Sequence, residues 1–104
     1  MRFFILVDGG QRVEADETVF ADWSARANRR IAHHQSGVVE VSTVFVGIDH
    51  RTFETSPARL FATTVLRDGR VGETWRHSSF DDARIGHLRI CREVFGFVPD
   101  GTRP

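Results

Sequence analysis

The stretch "VVEVSTVFVGI", Val38 to Ile48, does most to limit the fold. Its two alternating sets are both apolar: Val39, Val41 and Phe45 on one side, Val44, Val46 and Ile48 on the other. Adjacent strand residues point to opposite faces, so such a strand belongs in the interior of a sheet, covered on both sides. The rest of the chain has to supply that cover. With 104 residues it is long enough for one core and too short for two.

The flanking segments fit a mixed fold. "RFFILVD" and "QRVEA" surround Gly9-Gly10, a hairpin signal. Asp16 or Thr18 can cap a following helix, with Glu17 at its positive end. Val19, Trp23, Ala27 and Ile31 recur every four residues, with Phe20 beside them. That stripe predicts a helix running to Ser36-Gly37, closed by His33-His34. Arg26, Arg29 and Arg30 then form a basic helix face.

After the strand, "LFATTVL" and "VGETWRH" bracket Asp68-Gly69, a two-residue hairpin turn. This register sets Leu66 opposite Val71, Thr64 opposite Glu73 and Ala62 opposite Trp75. "SSFDDA" opens a second helix, with Ser79 as cap. Phe80, Ala83, His87, Cys91 and Val94 make its apolar face, widened by Leu88 and Phe95. The expected order is β-β-α-β-β-β-α, an α+β domain over residues 1–98. An antiparallel-rich sheet of about five strands carries two helices, and residues 99–104 form a tail.

Composition removes several functions. A single cysteine, Cys91, excludes an internal disulfide and multi-cysteine metal clusters. All the basic residues are Arg; with no Lys, Schiff-base chemistry and a Walker-type phosphate loop are out. Fourteen basic against fourteen acidic residues give no overall field toward nucleic acid. No apolar run has the length of a membrane span, and the N-terminus reads as a strand, so the expected location is the cytoplasm.

The chemistry that remains is polar and histidine-rich. His87 sits within the apolar stripe of the second helix and therefore points inward. A buried imidazole needs a partner; the candidates are Ser42, Thr43, Thr63, Thr64, Asp49 and His50. Asp49, His50, His77 and His87 form the candidate polar binding cluster. No spaced metal-ligand motif is read from them, and neither a cofactor nor a metal is assigned. No serine lies in a nucleophile elbow.

Four blocks carry a resemblance: "ADWSARANRRIAHH", "VSTVFVGIDH", "LFATTV" and "WRHSSFDDARIGH". Together they resemble a family of small uncharacterised bacteriophage and prophage proteins, over residues 3–95. Members read V-S-T-V-F-L-G-L-D-H, then L-F-E-T, then R-Y-S-T, E-A and G-H. This chain departs at Ala62, where the family has Glu, and at His77, where it often has Tyr. The resemblance implies a small accessory protein, encoded by a phage and working in the host bacterial cytoplasm. Some proteins of that kind block host defences such as CRISPR systems. The expected function is accordingly non-enzymatic binding of a host or phage protein through Arg26, Arg29 and Arg30. Nucleic acid is a second partner class for that arginine patch. The alternative is a small-ligand or metal-dependent site, hydrolytic in one version, around Asp49, His50 and His87.

Overall fold

A computed structural model describes residues 1–51 and 57–99. The fold is α+β; the described residues form two α-helices and seven strands in two antiparallel sheets. In chain order the elements are β1 (Arg2–Val7), β2 (Gln11–Ala15), α1 (Glu17–Arg26), β3 (Arg30–Ser36), β4 (Val39–Phe45), β5 (Ile48–Asp49), β6 (Phe61–Arg67), β7 (Arg70–His77) and α2 (Phe80–Phe95).

The larger sheet has the order β3-β4-β6-β7. The doubly apolar segment thus supplies an interior strand, β4, as its pattern requires. The strand stops at Phe45, and after Gly47 the chain crosses to the smaller sheet, ordered β2-β1-β5. There Ile48 pairs with Phe3 and Asp49 with Arg2. Arg12 of β2 ties the sheets together, donating to the carbonyls of Ala58 and Ser78.

The first helix is shorter than its stripe suggests. Asp16 caps it, accepting from the Val19 amide at 2.8 Å. It ends at Arg26, and Ala27 is already extended, with ψ 144°. Asn28 makes the break: its side chain accepts from the Arg30 amide at 3.1 Å, a local turn that competes with helix. Residues 30–36 then pair with β4 as an edge strand. His33 and His34 therefore lie on opposite faces of a strand and close no helix. The basic helix face dissolves with the helix: Arg26 pairs with Asp22, Arg29 lies between elements, and Arg30 begins β3.

The Asp68-Gly69 turn is present, with φ of 56° and 77° at its two residues. Both are left-handed, as a type I′ turn demands. Leu66 faces Val71 as expected, but one extra residue in β7 shifts the rest. Thr64 then faces Thr74, Thr63 faces Trp75, and Ala62 faces Arg76. Trp75 consequently does not cover Ala62, and it stays 36% exposed on an edge strand.

The second helix matches its pattern. Ser79 accepts from the Asp82 amide at 3.0 Å, and Gly96, with φ 84°, ends the helix. Ala83, Gly86, His87, Ile90 and Cys91 are buried against the larger sheet; Ile90 is buried where Leu88 is only half-buried. Two apolar clusters result. One gathers Phe4, Phe45, Leu60, Phe61 and Ala83; the other gathers Val41, Val65, Ile90 and Cys91. Among the described residues no helix is long and apolar enough to cross a membrane.

Candidate functional site

A polar layer separates the two clusters. Along β4 the inward residues run Val41, Thr43, Phe45, and along β6 they run Phe61, Thr63, Val65. Along α2 they run Ala83, His87, Cys91, one turn apart. Each element places one polar side chain between two apolar ones, and all three polar residues are fully buried.

These residues join in one chain of hydrogen bonds. His87 Nδ1 meets Thr43 Oγ1 at 2.7 Å, and Thr43 Oγ1 meets Thr63 Oγ1 at 2.6 Å. Thr63 Oγ1 meets His77 Nε2 at 2.9 Å, at the half-buried end of β7. On the other side, His87 Nε2 meets His34 Nδ1 of β3 at 2.9 Å. A hydroxyl has only one proton to donate, so the chain must run in one direction throughout. Either His87 Nδ1–H donates to Thr43, Thr43 to Thr63, and Thr63 to His77. Or His77 Nε2–H starts the chain, which ends with His87 Nε2–H donating to His34. Both polarities satisfy every member.

Burial decides the charge. It lowers the His87 pKa from 6.5 to about 4, with His34, His33 and His77 adding repulsion, so the ring is neutral at pH 7. Burial also lowers His34, with His33 contributing, and lowers His77 against a partial counter-effect of Asp82. The Cys91 thiol beside the chain is pushed up to about 11 by burial, so it is not a ready nucleophile.

Gly86 is explained by the same layer. A Cβ there would overlap the His77 ring, lying only 3.0 Å from its Nδ1. Glycine therefore lets β7 bring His77 against the helix.

The expected cluster divides in two. His77 and His87 share the chain, through Thr63 and Thr43. Asp49 is buried at the edge of the smaller sheet, and Arg51 engages it with both its side chain and its amide. The Arg51 side chain first, then the amide, lower its pKa to about 2, which leaves it a fixed anion and no proton acceptor. His50 is exposed. It lines a concave surface with Asp49, Arg51, Arg59 and Arg76. Arg59 and Arg76 continue into a second concavity with His77, Asp82, Gly86 and Arg89. The two concavities adjoin at Arg59 and Arg76. Arg59, Arg76 and Arg89 have no carboxylate partner among the described residues.

Sequence reasoning passed over His34 and Cys91 as neighbours of His87. The i,i+4 pair His87/Cys91 was visible as one helical turn; His34 was hidden by the helix assigned to its segment. The ligand atoms of these three residues lie within 4.8 Å of one another. The quoted blocks also converge here. Thr43 comes from "VSTVFVGIDH", Thr63 from "LFATTV", and His77, Gly86 and His87 from "WRHSSFDDARIGH". No protein-family model, curated protein or solved structure matches the chain.

Proposed function

We propose that the protein is a non-enzymatic binding domain, a phage-type accessory protein that docks an acidic host or phage protein in the arginine groove. One observation carries the reading: Arg59, Arg76 and Arg89 line two adjoining concavities without carboxylate partners among the described residues. Exposed guanidiniums on β7, on α2 and on the segment leading into β6 give fast, oriented capture of carboxylate-rich surfaces. Of the two acids lining these concavities, Asp49 is already neutralised by Arg51, and Asp82 sits in the first turn of α2. Interference with a host defence is one role such capture would serve.

The test is affinity capture from infected and uninfected host lysate, with wild-type protein and Arg59→Glu/Arg76→Glu as baits. A defined protein retained by the wild type, released by salt and missing from the variant supports the reading. Equal capture by both baits overturns it. So does recovery of nuclease-sensitive material alone, which would assign the groove to nucleic acid.

A further inference from the structure

We propose that His34, His87 and Cys91 form a binding site for a thiophilic transition metal, with zinc the best fit. Three donors of the right chemistry converge from two elements, their ligand atoms all within 4.8 Å of one another. His87 and Cys91 are one turn apart on the buried face of α2, and His34 meets them from β3. Two imidazoles and a thiolate are a borderline-soft set that suits zinc, cobalt or copper and disfavours magnesium and calcium.

The geometry needs only a small adjustment. Zinc bonds of about 2.0–2.3 Å in a tetrahedron place donors roughly 3.3–3.7 Å apart. The 2.9 Å contact between His34 and His87 must open slightly, and separations that nowhere exceed 4.8 Å need close by no more than about 1–1.5 Å. Side-chain rotation supplies such shifts. As the metal–sulfur bond forms, Cys91 Sγ gives up its proton to solvent. Three protein donors leave a fourth position for water.

The layer around His87 is built as an outer shell. Metal ligation by an imidazole nitrogen is supported when the other ring nitrogen donates a hydrogen bond that fixes the tautomer. Thr43 Oγ1 stands 2.7 Å from His87 Nδ1 to accept that bond. A metal on Nε2 takes the lone pair there and requires Nδ1–H. Only one of the two polarities then survives, from His87 through Thr43 and Thr63 to His77 Nε2. Metal occupancy is thereby written into the tautomer of His77, at the edge of the groove.

The experiment titrates chelator-stripped protein with Co²⁺ and follows absorption. One equivalent should produce a thiolate-to-cobalt charge-transfer band and the intense visible bands of four-coordinate cobalt, both removed by excess Zn²⁺. Cys91→Ser should abolish the charge-transfer band, and His34→Gln should weaken binding at least tenfold. Neither change removes a link of the Thr43–Thr63–His77 chain, so both variants should fold. A wild-type protein without the band, or a band that survives in Cys91→Ser, overturns the site. With Zn²⁺ bound, His77 should be in the Nδ1–H form in long-range ¹H–¹⁵N spectra. An Nε2–H His77 in the zinc-loaded protein overturns the coupling.

Discussion

Thr43→Val tests the hydrogen-bonded layer most directly. Valine keeps the shape and β-branching of threonine and removes only the hydroxyl. Two bonds disappear, at 2.7 Å to His87 and 2.6 Å to Thr63. Thr63 keeps His77 as a partner. His87 Nδ1 is left with none and is fully buried, a penalty of about 1–3 kcal/mol. The lost threonine–threonine bond adds about 0.5–1.5 kcal/mol, so the sum is roughly 2–4 kcal/mol. For a domain of this size that lowers Tm by on the order of 10–20 °C. The assay is thermal and urea unfolding followed by circular dichroism, run with Thr43→Val, His87→Leu and the double variant. The double variant should cost at least about 1 kcal/mol less than the sum of the singles, because the His87 ring that Thr43→Val strands is no longer there. A single variant within about 0.5 kcal/mol of wild type, or strict additivity, would refute the reasoning.

Three further outcomes are expected. In chelator-treated protein, His87 binds its proton less tightly when folded than when unfolded; stability is complete above pH 6.5 and falls as pH drops toward 4. That shift is worth roughly 3 kcal/mol, read from urea midpoints across the window, and a flat profile would contradict it. Gly86→Ala should destabilise by about 1–3 kcal/mol through overlap with His77, yet stabilise a His77→Ala background, where helix propensity alone counts. Ala62 is buried across from Arg76, so Ala62→Glu sets a carboxylate beside that guanidinium and should destabilise by at least about 1–3 kcal/mol. It should also reduce capture of the acidic partner, and undiminished capture would remove Arg76 from the docking surface.

Local signals were legible and long-range ones were not. The Ser79 cap and the 3-4-4-3 spacing after it placed α2 and turned His87 inward. Asp68-Gly69 placed its hairpin. Asn28 carried too weak a signal against a stripe that Ile31 seemed to continue, so β3 was read as helix and His34 was lost to the site. Gly72 lies where β7 takes in its extra residue, and glycine inside a strand is a recognised mark of such a bulge. Nothing local indicates that Gly47 moves the chain between sheets, since that depends on the distant partner Phe3. Of the two groups that bond His87, Thr43 was among the candidates and His34 was not; Thr63, also a candidate, joins through Thr43. Asp49 was drawn to the cluster by its neighbour in sequence, whereas Arg51 claims it in space.

The polar layer also acts as a check on strand alignment. The faces of β4 and β6 turned to α2 are otherwise apolar, and a slip of two residues would keep every side chain on its own face. Val41, Val65, Phe45 and Phe61 make no directional side-chain bonds that would forbid the slip. Thr43, however, would face Val65 or Phe61 in place of Thr63. The hydroxyls and the His87 ring would then be stranded in the interior, each at about 1–3 kcal/mol. Misaligned versions of the sheet are thus penalised at the one level where the apolar residues cannot tell them apart. Swapping Thr43, Thr63 and His87 together for apolar residues would make a chain that still collapses and settles less decisively on a single pairing.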